Sequence, residues 1–246
     1  MRSLRCSAAP SSWTTWPPNL SPMAPPVPLV PRLVALGVLV VAWVGLTLAV
    51  SAGWLATLDH QVLQAMTGAW DESLHPVFQL IAELGGIEVT SILMFGLLVY
   101  LWRGGFGADA WAVFAYVVAL ALETFYKLTL YHPGPPRAIA HRDGPSLTDY
   151  LTNPTSLDLN SFPSGHMVRT VVAYGLLAFV IRRLASGRAA RALAIPAAIA
   201  LIVIEAFDRL YLDVHWESDV IGGLLLGAIA LLSATVWLDR PRRTDN

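Results

Sequence analysis

Charged side chains of either sign are scarce in this chain of 246 residues. Asp, Glu, Lys and Arg make up 13% of it and leave a formal net charge of −1, whereas a soluble domain carries about 25% charged residues. A near-neutral chain lacks the concentrated basic face that nucleic-acid binding requires, which argues against that class of partner. Cysteine is almost absent too, since Cys6 is the only one. An intramolecular disulfide and a cysteine metal cage are therefore excluded.

Hydrophobic residues, at 55% of the chain, indicate a polytopic membrane protein rather than a globular one. At about 20 residues a span, the length predicts an all-α bundle of six transmembrane helices with short interfacial helices. Residues 1–28 are rich in Pro and Ser and have no apolar run like a signal-peptide core, so we expect a disordered tail there. The integral-membrane domain is predicted at 29–240 and a cytoplasmic tail at 241–246.

The first span is predicted at 33–55, an uncharged run too long for the apolar region of a cleaved signal peptide. Residues 57–84 have apolar residues at helical spacing interrupted by charge, which is typical of short amphipathic helices at the membrane interface. Five more spans have uncharged cores, at 89–102, 110–122, 170–181, 192–204 and 220–238.

These later spans have ionisable residues at one end: Glu88, Glu123, Lys127, Arg169, Glu205, Arg209 and Asp219. Most Lys and Arg of the connections lie around 103, at 182–191 and after 238, so the positive-inside rule makes those connections and both termini cytoplasmic. Alternating spans then bring all the ionisable ends to the outer leaflet. Such residues indicate a functional pocket by default, although snorkelling side chains at helix ends would give the same pattern. The long connection 131–162, rich in turn formers, would lie outside over the pocket as a lid or substrate-binding segment.

Three stretches at this end have the composition of a phosphate site. Lys127 ends the third span, Ser164 and Gly165 of "PSGH" stand where a loop enters a helix, and Arg209 ends the fifth span. Backbone N–H groups at a helix start attract anions, and arginine can hold two phosphate oxygens at once. We expect Lys127, Ser164, Gly165 and Arg209 to bind phosphate.

Two histidines and one aspartate supply the chemistry that such a site needs. Asp219 follows His215 by four residues, within reach if the segment is helical, and can fix which ring nitrogen carries the proton, leaving the other free to attack. His166, on a separate loop, is then available as the general acid for the departing oxygen. Each feature alone is weak, since "PSGH" is usually a helix cap and a His–Asp pair is usually structural.

Together these stretches resemble the type 2 phosphatidic acid phosphatase superfamily of integral-membrane lipid phosphatases, whose pattern is Lys-x6-Arg-Pro, Pro-Ser-Gly-His and Ser-Arg-x5-His-x3-Asp. The resemblance covers roughly 30–238 and implies that His215 forms a phosphohistidine, that Asp219 orients it and that His166 protonates the leaving group. It implies no metal and no other cofactor. Arg169 is expected to support His166 by pairing with a nearby carboxylate or with phosphate.

Two positions depart from that pattern. The first-motif arginine falls on Gly134, for which Arg137 in the same loop is the expected substitute in phosphate binding. The serine before Arg209 is Asp208, whose carboxylate could compete for the guanidinium.

The sequence thus predicts a multi-pass cell-membrane enzyme that removes a terminal phosphate from a lipid phosphate or a polyprenyl diphosphate such as undecaprenyl diphosphate at the extracytoplasmic leaflet. One alternative is a degenerate homologue that binds phospholipid or a partner without turnover. A small transporter is a weaker alternative, because the polar residues gather on one side of the membrane and do not form a path through it.

Overall fold

The computed structural model describes residues 28–136 and 160–239, and within these ranges the chain is almost entirely α-helical. The helices are α1 Leu29–Ser51, α2 Ala56–Gly68, α3 His75–Gly85, α4 Ile87–Arg103, α5 Gly107–Ala110, α6 Phe114–Thr129, α7 Gly165–Leu184, α8 Arg188–Tyr211 and α9 Glu217–Leu238. Short 3₁₀ turns at Glu72–Leu74 and Trp111–Val113 precede α3 and α6. The described ranges hold no strand, only an isolated bridge between Pro133 and Asn160, and the prediction of an all-α fold is confirmed.

Five helical segments of the described chain are long and apolar enough to cross a bilayer, and the protein is a multi-pass membrane protein. These segments are Leu29–Ser51, Glu72–Arg103, Trp111–Thr129, Arg188–Tyr211 and Glu217–Leu238. The remaining long helix, α7, has 20 residues but includes Arg169, Arg182 and Arg183. Its composition alone does not identify it as a span, so the count of six spans stays a prediction.

The stretch predicted as short amphipathic helices forms α2 and α3. The helical structure is interrupted between them at Asp71. The carboxylate of Asp71 accepts a hydrogen bond from the backbone N–H of Ser73 at 2.9 Å and caps a 3₁₀ turn. Pro76 stands in the first turn of α3, where its fixed φ suits the helix and no N–H is needed. Only Gly86 separates α3 from α4, so α3 is joined to the next span and is not a separate interfacial helix.

Helix α7 is the centre of the bundle. It packs against α3, α4, α6, α8 and α9, and more than half of its residues are buried. Helix α1 lies at the periphery and buries only Trp43 and Val50, while Val30 and Val41 are 70% and 73% exposed. Apolar side chains exposed on a spanning helix form the surface that meets lipid tails.

Glycines let α9 approach α7 closely. A Cβ at Gly223 would lie 2.5 Å from the carbonyl oxygen of Ser164, and a Cβ at Gly227 would lie 2.7 Å from Cβ of Val171. Small residues four apart on one helix allow close helix–helix contact in membranes. This contact holds the N-terminal ends of α7 and α9 side by side.

The two ends of the bundle differ in their side chains. At one end, α6 and α8 finish and α7 and α9 begin. At the other, Asp239 lies 2.6 Å from Arg32 and 3.1 Å from Arg183, which joins the beginning of α1 to the final residues of α7 and α9. Arg32 and Arg183 thus lie at the end of the bundle opposite the candidate site.

Candidate active site

His215 and Asp219 form a hydrogen-bonded pair at the start of α9. Nδ1 of His215 lies 3.2 Å from Oδ2 of Asp219, which also accepts the backbone N–H of Trp216 at 2.9 Å. The sequence predicts this pair on the condition that the segment is helical, but α9 begins only at Glu217. The pair forms because Asp219 occupies the third position of the helix and reaches back, as capping side chains do.

The environment of His215 favours a neutral ring. Burial lowers the pKa of His215 below its ordinary value of 6.5, and the hydrogen bond to Asp219 opposes that shift without cancelling it. A neutral imidazole that donates Nδ1–H to a carboxylate has its lone pair on Nε2. Nε2 is therefore the ring nitrogen of His215 whose lone pair is available to attack.

His166 has the opposite arrangement. Its Nδ1 lies 3.3 Å from Nη2 of Arg169, and a guanidinium group can only donate. Nδ1 of His166 must then accept, which puts the proton of the neutral ring on Nε2. The two histidines thus hold complementary tautomers, one with a lone pair on Nε2 and the other with a proton there.

Arg169 is held in place from two further sides. Its Nε donates to the carbonyl oxygen of Gly85 at 3.1 Å, and its Nη1 lies 3.3 Å from Oε2 of Glu123. The expected pairing of Arg169 with a nearby carboxylate is present, and the carboxylate is that of Glu123. Side chains with this many partners lose little further freedom when a ligand arrives.

The two cations predicted to bind phosphate are already paired with buried carboxylates. Nζ of Lys127 lies 3.0 Å from Oε1 of Glu123. Arg209 donates Nε to Oδ2 of Asp208 at 2.9 Å, contacts the same oxygen through Nη2, and lies 3.6 Å from Oε1 of Glu205. The competition for Arg209 that Asp208 suggests in the sequence is a contact in the structure.

Ser164 and Gly165 lie at the start of α7, as predicted. Of the groups there that could bind phosphate, the backbone N–H of Ser164 is already in use. The backbone N–H of Ser164 donates to the carbonyl oxygen of Asp219 at 3.0 Å, so it is not available to an anion. The hydroxyl of Ser164 is fully buried and has no hydrogen-bond partner in the described chain, which leaves it free to donate to a phosphoryl oxygen. A Cβ at Gly165 would collide with the carboxylate of Glu123, and glycine is needed there for that approach.

The structure brings most of the predicted site residues to one place. His166 and His215 interact electrostatically with each other, and both interact with Lys127 and Arg209. Arg137 lies outside the described residues. Gly134 is exposed, and a Cβ there would meet only Cβ of Ser161 at an ordinary 3.5 Å, so a side chain fits at the position where the family pattern has arginine.

Three residues that contribute to this geometry are not among the predicted site residues. Glu123 was recognised as an intramembrane carboxylate but not as the partner of two cations. Asp59, on α2, is 3% exposed and accepts both the backbone N–H and the hydroxyl of Ser218 at 2.9 Å. His132 lies 3.4 Å from Asp219. No motif signals Asp59 or His132, because their contacts are made by residues 159 and 87 positions away.

The chain is similar to known proteins in sequence and in fold. A sequence model of the PAP2 superfamily matches residues 108–243, which includes every predicted site residue. The chain is similar to the "Putative undecaprenyl-diphosphatase YbjG" of Escherichia coli (strain K12), with 35% identity over 142 residues, which are 57% of this chain and 64% of that protein. The chain thus matches less than two thirds of that relative's length.

A solved structure has the same fold. It is the transmembrane PAP2 type phosphatidylglycerolphosphate phosphatase from Bacillus subtilis, with a TM-score of 0.67, 19% identity, and coverage of 85% of this chain and 98% of that one. At this identity the similarity establishes the fold alone.

Proposed function

This chain belongs to the PAP2 superfamily, and we propose from that premise that it is a membrane phosphatase that hydrolyses the terminal phosphate of a lipid phosphate or polyprenyl diphosphate through a phosphohistidine. The observation that carries the proposal is the pair of contacts at the two Nδ1 atoms, that of His215 with Asp219 and that of His166 with Arg169. His215 has its lone pair on Nε2, and His166, within electrostatic range, has its proton on Nε2. Nε2 of one ring is suited to attack, and Nε2–H of the other is suited to donate its proton once that ring is an imidazolium.

The reaction has two steps. In the first, His166 acts as an imidazolium, whose second proton is taken up with the anionic substrate. Nε2 of His215 attacks phosphorus, the bond from phosphorus to the lipid oxygen breaks, and the imidazolium gives its Nε2 proton to that oxygen and becomes neutral. In the second, water attacks phosphorus, the bond from phosphorus to nitrogen breaks, and His166 takes a proton from the water. Inorganic phosphate leaves and both histidines return to their initial states. Asp219 holds the ring of His215 throughout and stabilises its positive charge.

The phosphoryl oxygens are proposed to bind Lys127, Arg209, the Ser164 hydroxyl and the backbone N–H of Gly165, with Arg137 as a further candidate from the sequence. Phosphate binding at Lys127 and Arg209 has to compete with Glu123 and Asp208, because those carboxylates already accept from the two cations. The proposed chemistry requires no metal ion, since the nucleophile, the acid and the phosphate-binding cations are all side chains.

The substrate is proposed to be an anionic phosphate head on an apolar tail, at the extracytoplasmic leaflet. The apolar outer surface of the bundle supports a lipid substrate, and the arginines at the opposite end support the leaflet. The name of the Escherichia coli relative makes undecaprenyl diphosphate the first candidate, and the name of the Bacillus subtilis phosphatase makes phosphatidylglycerol phosphate the second.

Phosphate release by purified protein in detergent tests the proposal. The panel is undecaprenyl diphosphate, phosphatidylglycerol phosphate and phosphatidic acid, each with and without EDTA. We expect turnover of at least one substrate, undiminished by EDTA. His215→Ala should abolish turnover of every substrate. Turnover that EDTA removes would contradict the proposed chemistry.

The two histidines should differ in their dependence on the leaving group. His166→Ala should impair hydrolysis of lipid alkoxide substrates strongly and that of an activated aryl phosphate mildly, because an aryl oxygen leaves without a proton. Asp219→Asn should lower kcat with little change in KM, since it disturbs orientation and leaves the phosphate contacts in place. A phosphohistidine trapped at position 166 and not at 215 would exchange the two roles.

A second candidate is a homologue that binds phospholipid without turnover, and the pairing of Arg209 with Asp208 favours it. Asp208→Ser restores the residue of the family pattern and frees the guanidinium. If the wild type binds phospholipid vesicles but releases no phosphate, and Asp208→Ser releases phosphate, this candidate replaces the first.

A further inference from the structure

The backbone of His132 is hydrogen-bonded to Asn160 and Ser161, which follow the long connection. Its N–H donates to Oδ1 of Asn160 at 2.8 Å, and its carbonyl oxygen accepts the backbone N–H of Ser161 at 2.7 Å. Asn160 also donates Nδ2 to the carbonyl oxygen of Lys127 at 2.9 Å. His132 is therefore fixed in position relative to the end of α6.

The side chain of His132 meets the carboxylate of Asp219. Nε2 of His132 lies 3.4 Å from Oδ1 of Asp219, and the side chains are 17% and 0% exposed. Both atoms are buried, and neither has another hydrogen-bond partner in the part of the chain that the structure describes. Because an unsatisfied buried polar atom is costly, each of these two atoms is the natural partner of the other.

The two oxygens of the Asp219 carboxylate face different groups. Oδ2 of Asp219 serves Nδ1 of His215 and the N–H of Trp216, while Oδ1 faces His132. We propose that His132 is a positioning residue of this site, whose Nε2–H donates to Asp219 Oδ1 and so fixes the plane of the carboxylate that orients His215. This inference rests on the proposed function, and it adds a residue at one of the unspecified positions of the first family motif.

Two observations favour positioning over direct binding of phosphate. The nitrogen that could donate to a phosphoryl oxygen, Nε2, faces a carboxylate. The ring also packs edge-on against Phe162, with centroids 6.2 Å apart, which restricts its rotation. A residue that orients a catalytic carboxylate alters the rate of the chemical step, whereas a phosphate ligand alters affinity.

The experiment compares two substitutions of His132 that separate its shape from its hydrogen bond. His132→Phe keeps a ring against Phe162 and removes the donor, while His132→Gln removes the ring and keeps an N–H donor near the position of Nε2. His75→Phe is the matched control, because His75 packs on Trp70 and has no part in the proposed chemistry. Monodisperse elution and an unchanged melting temperature in detergent establish that each variant is folded.

The measurements are kcat, KM and the inhibition constant of inorganic phosphate, with the substrate that the wild type turns over fastest. We expect His132→Phe to lower kcat by about tenfold or more, as loss of a partner behind a reactive group does. KM and the phosphate inhibition constant should change by less than about twofold. His132→Gln should regain most of kcat, and His75→Phe should match the wild type.

Three outcomes would overturn the inference while leaving the proposed function intact: an active wild type with kcat unchanged in His132→Phe, a loss confined to KM and phosphate inhibition, or equal losses in the Phe and Gln variants. The second of these would assign His132 to phosphate binding. A wild type without phosphatase activity would overturn the proposed function and this inference together.

Discussion

At the scale of single residues, protonation of His215 controls whether the proposed nucleophile exists. Its lone pair on Nε2 is present only in the neutral ring, and the pKa of His215 is lowered by burial, with the Asp219 hydrogen bond acting in the opposite direction. A group with a lowered pKa stays neutral until the pH falls below its ordinary value. A neutral His215 ring, which the proposed nucleophile requires, is therefore favoured at neutral and mildly acidic pH.

The pH dependence of kcat/KM should reflect this. We expect the acid limb of the wild type to lie below 6.5, the ordinary pKa of histidine. Asp219→Asn removes the carboxylate that stabilises the imidazolium form, so its acid limb should move to lower pH. Comparing both proteins on one substrate cancels the titration of the substrate phosphate. An acid limb that moves to higher pH in Asp219→Asn would contradict this account of His215.

At this scale the sequence predicts the site residues and some of their partners, such as Asp219 for His215 and Asp208 for Arg209, but not the others. His166, His215 and Asp219 were found because each stands at the end of an apolar run in a known spacing. The pairing of Lys127 with Glu123 follows from a helical spacing of four, but the sequence does not tell whether the pair meets a ligand. The contact of His132 with Asp219 depends on how two distant segments fold together, and the first family motif specifies no residue type at position 132.

At the scale of helices, the close contact of α7 and α9 sets the distance between the proposed acid and the proposed nucleophile. His166 is the second residue of α7, and His215 precedes α9 by two residues. The backbone hydrogen bond from Ser164 to Asp219 joins the two helix starts directly. Any change that separates α7 from α9 therefore separates the two histidines.

Gly223→Ala should introduce such a change. Its Cβ would lie 2.5 Å from the carbonyl oxygen of Ser164 and 2.6 Å from Cβ of Met167, and overpacking of this kind costs about 1–3 kcal/mol. We expect a lower melting temperature in detergent and a lower kcat.

Gly96→Ala is the matched control, because the same Cβ in α4 meets nothing within 4 Å. It should leave both quantities unchanged or raise the melting temperature slightly, since alanine is the better helix former. Equal effects at the two positions would show that the contact of α7 with α9 is not tight.

The helices themselves were largely predictable from the sequence, and their ends were not. Long uncharged runs predict α1, α4, α8 and α9, because a segment that crosses a bilayer has to be apolar and helical. The break at Asp71 depends on a local hydrogen bond, and the start of α6 at Phe114 follows a 3₁₀ turn within a run that reads as uniformly apolar. The spacing of apolar residues along the sequence does not indicate where such short turns occur.

At the scale of the whole molecule, the bundle has two unlike ends. The candidate site occupies one end, and the contacts of Arg32 and Arg183 with Asp239 occupy the other. If the positive-inside rule orients the chain, the arginine end faces the cytoplasm and the site faces outward. A lipid phosphate would then be hydrolysed where its head group meets the outer medium.

Single cysteines test this orientation. In a Cys6→Ser background, which removes the only native thiol, cysteine replaces Gln64 on α2 or Ser186 between α7 and α8, both of which are exposed. An impermeant thiol reagent applied to intact cells should label position 64 and spare position 186. After the cells are permeabilised, both should react. Labelling of position 186 alone in intact cells would reverse the orientation and move the site to the cytoplasmic side.

The hydrogen bond between His132 and Asn160 also affects how the substrate preference of this site could change in evolution. The chain leaves the described region at Pro136 and re-enters it at Asn160, and hydrogen bonds join the two flanks directly. Since the flanks hold each other, insertions or deletions between them need not move His132 or Lys127, and closing a longer loop adds little entropic cost. If the connection contacts the substrate, as its sequence predicts, selection could alter lipid preference there while the proposed catalytic groups keep their places.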